Sequence, residues 1–202
     1  MTRWILDFIG TTGYFGIVVL MFVENIFPPV PSEFIMPLAG FLVSENKFSF
    51  LAVVFAGTLG SVLGALPLYY LGAKIGGEKL KNFADRQGRW FAFSGEDIAK
   101  ASEWFGKYGY LAVLICRVVP GIRSIISIPA GINRMNIFSF LFFTTIGSAI
   151  WTTFLAGAGY VLKNNFNEIE TYLDPFVYII LAVIVFLYLI RVVRYKNPQT
   201  SE

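Results

Sequence analysis

Apolar positions along this chain fall into five long blocks, and the blocks are of two kinds. Three are unbroken: Phe48–Ala73, Ile137–Leu162 and Pro175–Val193. Each is near the roughly 20 apolar residues that carry a helix across a bilayer. The last starts at Asp174-Pro175, a capping residue followed by proline at the first helical position, and ends in the basic "RVVRYK". The other two blocks, Gly13–Val43 and Tyr108–Ile132, are interrupted, one by "PPVP" and the other by "RVVPGIRS". Proline cannot continue an intrahelical hydrogen-bond ladder. The arms of the first block, about 15 and 10 residues long, are too short to cross separately. Each broken block therefore predicts a kinked span or a re-entrant hairpin, with Pro28, Pro29 and Pro31 breaking the first and Pro120, Gly121, Pro129 and Gly131 the second.

Charge arbitrates between the two. If both broken blocks are re-entrant, one side of the membrane collects Lys74, the six basic residues from Lys79 to Lys107, Arg134, and Arg191, Arg194 and Lys196, leaving Arg3, Lys47 and Lys163 on the other. If both cross, the asymmetry shrinks, because Arg134 and the C-terminal three leave that side while Arg3 and Lys163 join it. Basic residues gather on the cytoplasmic side. Re-entrant hairpins are therefore expected, with the linker and C-terminus cytoplasmic and the N-terminus outside.

The two broken blocks also open an internal repeat. "GYFGIVVLMF" at 13–22 matches "GYLAVLICRV" at 109–118, "PLAG" at 37–40 matches "IPAG" at 128–131, and "FSFLAVVFAG" at 48–57 matches "FSFLFFTTIG" at 138–147. One hairpin plus one span is an odd number of crossings, so the second copy is inverted. That is the plan of secondary transporters, in which broken elements meet near the midplane. The predicted fold is an all-α polytopic membrane protein, an inverted repeat of re-entrant helical hairpin plus transmembrane helix with an extra C-terminal transmembrane helix. Residues 1–202 make one membrane domain: 13–76 the first repeat, 77–107 a cytoplasmic amphipathic linker with a capping box at Ser94–Asp97, 108–165 the inverted repeat, and 175–195 the C-terminal span.

Composition agrees. Of 202 residues, 56% are hydrophobic and 14% charged, against about 25% charged in a soluble domain. The first 16 residues lack a basic flank, apolar core and small-residue cleavage site, so no cleavable signal is expected. The single cysteine, Cys116, excludes an intrachain disulfide and reads as a small apolar residue. There is no histidine, which removes Ser–His proteolysis, phosphohistidine chemistry and histidine-rich metal sites. The chain is expected to be no enzyme and to need neither cofactor nor metal. Nothing points to nucleic acid; a homo-oligomer stays open.

Sorting charges by depth isolates the chemistry. Of 13 acids only Glu24 and Glu33 fall in membrane blocks, and of 16 bases only Arg117 and Arg123. A charge at the bilayer centre costs about 2.5–3.5 kcal/mol on insertion scales, so it marks a pathway or site. Arginine presents paired donors suited to phosphate. Ser32 and Ser124 offer hydroxyls beside the breaks. Arg117, Arg123, Ser124 and Ser32 are thus candidate phosphate ligands, and Glu24 and Glu33 candidate counter-charges or proton carriers. Two plainer readings stand beside this one: the four charges lock the hairpins as ion pairs, or Glu24 merely caps a shallow helix end. Gly57, Ser61, Gly60 and Gly64, like Gly147, Gly157 and Gly159, read as close-packing stripes.

"FVENIFPPVPSEFIMPLAG" and "GYLAVLICRVVPGIRSIISIPAGINRMNIFSF" resemble the motifs of the DedA family, bacterial membrane proteins that share their core with eukaryotic VTT-domain lipid scramblases. The resemblance covers about residues 8–165. It implies re-entrant hairpins, an inverted repeat and lipid translocation, with functional positions at Glu24, Glu33, Arg117 and Arg123. The family often has aspartate after glycine where this chain has "PSE". The expected function is undecaprenyl-phosphate translocation across the bacterial cytoplasmic membrane, with protons as a candidate coupling ion. A phospholipid (phosphatidylethanolamine) flippase or scramblase is the nearest alternative, and a proton- or sodium-coupled small-solute transporter the next.

Overall fold

The computed structural model describes residues 2–26, 32–76, 102–103, 105–118 and 123–161. Its named helices are α1 (Thr2–Thr12), α2 (Tyr14–Ile26), α3 (Ser32–Ser44), α4 (Phe50–Ile75), α5 (Tyr110–Arg117), α6 (Ser127–Ile132) and α7 (Ile137–Val161). No strand occurs among the described residues. The linker over 77–101, the C-terminal span over 175–195, and the break residues Pro28, Pro29, Pro31, Pro120 and Gly121 lie outside them.

α4 and α7, with 26 and 25 residues, are long and apolar enough to cross a membrane. α2 and α3 have 13 residues each, about 20 Å of helix, short of the roughly 30 Å hydrocarbon core. α5 and α6 are shorter still. Pro129 and Gly131, expected at a break, lie inside α6. Pro129 is tolerated there because the first turn of a helix leaves its N–H groups unpaired in any case. Local signals set the other boundaries. Gly13, at φ 66°, separates α1 from α2. Asn136 caps α7, its Oδ1 accepting from the N–H groups of Phe138 (2.9 Å) and Ser139 (3.4 Å). Helix α1, absent from the sequence reading, packs the buried Ile5 and Ile9 against the first half.

Outward faces are apolar at every fourth position. α4 exposes Leu51, Phe55, Leu59 and Leu63; α7 exposes Phe138, Phe142, Ile146, Ile150 and Phe154. In water such stripes would be a liability; in a bilayer they are the surface that lipid covers.

The two halves pack alike. α2 lies along α4 and α5 along α7, while α3 crosses over to α7 and α6 to α4. The two crossings use the same residues in the same way. Gly40 faces the Ala156 carbonyl and Gly159 that of Pro37; Gly131 faces the Tyr69 carbonyl and Gly72 that of Ile128. At each, the missing Cβ lets two backbones approach closely. These contacts pair α4 positions with α7 positions 87 residues later, as do the outward stripes, whereas the "FSF" match has an offset of 90. Packing thus shifts the helices by nearly one turn relative to the matched letters.

Candidate functional site

Helix α2 ends among polar groups. Its last turn carries Glu24 and Asn25, both buried, on the face turned away from the exposed Val23 and Ile26. α2 reaches this depth beside α4 because Gly64 makes room: a Cβ there would stand 2.6 Å from the Cβ of Asn25. On the other half, Gly147 of α7 does the same for Arg117, the last residue of α5.

The two consecutive residues of α2 straddle the break in the second half. Glu24 Oε2 forms an ion pair with Arg123 Nη2. Asn25 Oδ1 accepts from Arg117 Nη1 at 3.3 Å and from Ser124 Oγ at 3.5 Å. Arg117 Nη2 donates to Ser127 Oγ at 2.8 Å, which ties α5 to the start of α6. Glu24, Asn25, Arg117, Arg123, Ser124 and Ser127 therefore form one buried cluster contributed by both broken blocks.

The arginines differ in kind. Arg123 has a carboxylate partner. Arg117, 1% exposed, is held by two neutral oxygens, and no ion pair reaches it among the described residues. Its Nε is buried with no hydrogen-bond partner. A buried guanidinium outside any direct ion pair among the described residues, with a spare donor, is an uncommon arrangement, because both the charge and the orphan donor are costly.

Ser32 and Glu33 make their contacts elsewhere. Ser32 Oγ accepts from the indole Nε1 of Trp151 at 3.3 Å and approaches Glu33 Oε2 at 3.5 Å. Glu33 is half-buried, within electrostatic range of Glu24. Asn25, Ser127 and Trp151 were missed by sorting on formal charge. The available signal was an uncharged polar or indole group inside an apolar block. Among the described residues no group of three acidic or thiol side chains is placed to hold a metal ion.

Residues 30–161 match the VTT domain. The chain belongs to that family. The match spans α3, the second broken block and both long helices, and with their apolar exteriors it makes this a helical membrane protein of the DedA group. Curated relatives align over nearly their whole length. "Undecaprenyl phosphate transporter A" of Staphylococcus aureus is 38% identical over 199 residues, 98% of either chain. A Bacillus subtilis protein of the same name is 30% identical over 191 residues, 93% of this chain and 92% of its own. An "alkaline phosphatase-like protein" of Lactococcus lactis is 37% identical over 200 residues, 98% of this chain and 94% of its own. No solved structure matches the chain.

Proposed function

We propose that this VTT-domain protein translocates a lipid phosphate across the bacterial cytoplasmic membrane, and that the lipid is undecaprenyl phosphate. The observation that carries this reading is Arg117: a buried cation held in place by Asn25 and Ser127, with no ion-pair partner and no acceptor for its Nε among the described residues. A phosphate monoester supplies what is missing, negative charge and several acceptor oxygens in a geometry that a guanidinium fork matches. The names of the two transporter relatives point to the same headgroup.

In this reading the chain is an inverted repeat. Each repeat is a re-entrant hairpin plus a span, α2–α4 and α5–α7, with the linker and C-terminus cytoplasmic. The reciprocal crossings of α3 on α7 and α6 on α4 support it. The two broken blocks meet at Glu24 and Asn25, in the last turn of α2. The cluster is buried, so a headgroup reaches it when the two broken blocks separate. The headgroup then binds Arg117 first. Protonation of Glu24 would free Arg123 to become the second phosphate ligand, with Ser124 as a hydroxyl donor. Glu33 and Ser32, beside Trp151, would form the proton-accessible side. The prenyl tail stays in lipid, since only the charged headgroup meets a barrier in hydrocarbon.

The test is reconstitution in liposomes, following leaflet exchange of labelled undecaprenyl phosphate and of labelled phosphatidylethanolamine. Faster exchange of the prenyl phosphate alone supports the proposal. Exchange of both lipids would make the protein a broader phospholipid scramblase, and exchange of neither above empty liposomes would sink lipid translocation.

A further inference from the structure

Asn25 sits at the centre of the polar cluster without carrying a charge. Its amide is engaged at both ends: Nδ2 donates to the Met21 carbonyl at 3.2 Å, and Oδ1 accepts from Arg117 and Ser124. A guanidinium has only donors, so the amide oxygen, not its nitrogen, must face Arg117. Aspartate at this position would present an oxygen of the same size in the same place, with a full negative charge, and would bond the guanidinium more strongly. The chain has the neutral isostere instead. The other acceptor on Arg117, Ser127 Oγ at 2.8 Å, is neutral as well. The carboxylate that does make contact in the cluster, Glu24, is engaged by Arg123.

We infer that Asn25 is a specificity-determining residue: it fixes Arg117 with a neutral oxygen and so reserves the guanidinium charge for an anionic headgroup. A buried cation outside a direct ion pair attracts an anion more strongly than one already in such a pair, because the low local dielectric strengthens the interaction. The inference rests on the lipid-phosphate reading and deepens it, naming what makes the cluster a receptor and not a closed salt bridge. It also explains why two consecutive residues of α2 differ in charge. Glu24 holds Arg123 as a structural pair, while Asn25 holds Arg117 as a site.

A purely structural role and a charge role predict opposite orders. If Asn25 acts only through shape and hydrogen bonding, the isosteric Asn25→Asp is the mild variant and the truncating Asn25→Ala the severe one. If neutrality is the point, Asn25→Asp is the severe variant for binding, because it supplies the competing anion itself. The experiment measures binding of undecaprenyl phosphate, and of the matching prenol with the same tail, to the full chain in detergent. Wild type is expected to prefer the phosphate. Asn25→Ala removes the oxygen without adding a charge and should weaken phosphate binding less than Asn25→Asp, which should weaken it by about tenfold or more without changing prenol binding. Ser127→Asp places a carboxylate on the second acceptor, from a different helix, and should weaken phosphate binding in the same way. It keeps the test intact should Asn25→Asp fail to fold. A wild type that does not distinguish phosphate from prenol would overturn the transport reading, and this inference with it. A wild-type preference that survives in the folded aspartate variants would overturn the role of Asn25 alone.

Discussion

Gly147 of α7 lies against Arg117 so closely that a Cβ at 147 would stand 2.6 Å from the Cβ of the arginine. The α5 carbonyl of Leu114 is 3.1 Å from the same point, so backbone as well as side chain blocks it. Gly147→Ala must therefore push α5 outward and move the guanidinium off Asn25 and Ser127. Overpacking of this kind costs about 1–3 kcal/mol. The expected outcome is a lower melting temperature together with loss of prenyl-phosphate binding. Gly64→Ala should do the same from the other side, through Asn25.

Removing either arginine is expected to have different consequences for folding. Arg123→Ala leaves Glu24 buried and unpaired, and breaking a buried pair in this way costs about 3–5 kcal/mol. Arg117→Ala deletes a charge outside any direct ion pair among the described residues and leaves neutral hydrogen-bond partners behind, whose unsatisfied groups cost about 1–3 kcal/mol. Arg117→Ala should thus fold and lose transport, while Arg123→Ala should express poorly. Adding Glu24→Gln to Arg123→Ala should restore much of the lost stability without restoring transport. Yield and thermal unfolding in detergent report the first effect, liposome exchange the second. Equal stability of the two single variants would remove the distinction drawn between the arginines.

Glycine stripes divide into tight and open positions. Gly40 and Gly131 each face a carbonyl of the opposite long helix, so alanine at either should separate the crossing and destabilise the fold. Gly157, by contrast, has no atom of the described residues within 4 Å of where its Cβ would stand. Gly157→Ala should be neutral or stabilising by up to about 1 kcal/mol, through helix propensity alone. Thermal unfolding of the three variants side by side checks the ordering.

These contrasts show what was legible in the letters. Charge inside apolar blocks marked Glu24, Arg117 and Arg123, because a bilayer tolerates buried charge only where it is used. Block lengths marked α4 and α7. Asn25 and Ser127 escaped because a neutral polar residue costs too little at depth to stand out, although it decides which arginine stays unpaired. The 87-residue packing register escaped because residue similarity reads the starts of helices, whereas backbone approach at Gly40, Gly72, Gly131 and Gly159 fixes how they sit. Gly157 shares composition with its neighbours, and no described residue packs against it as they are packed.

Trp151 joins α7 to the start of α3 through a single bond, its indole N–H donating to Ser32 Oγ at 3.3 Å. The ring also packs beside Phe154, with centroids 6.0 Å apart. Trp151→Phe keeps an aromatic ring in that slot but removes the donor and part of the ring volume. Its hydrogen-bond share of the loss should be about 0.5–1.5 kcal/mol, the usual net worth of one hydrogen bond, whereas Trp151→Ala should cost about 3–5 kcal/mol through the cavity it leaves. Ser32→Ala removes the acceptor and should cost about as much as that share. Because both variants break the same bond, the double variant should be little worse than Trp151→Phe alone, with a coupling of about 0.5 kcal/mol or more. Additive losses would mean that the indole packs against α3 without bonding it. In that case the tie between α7 and the Glu33 end of α3 rests on apolar contact alone.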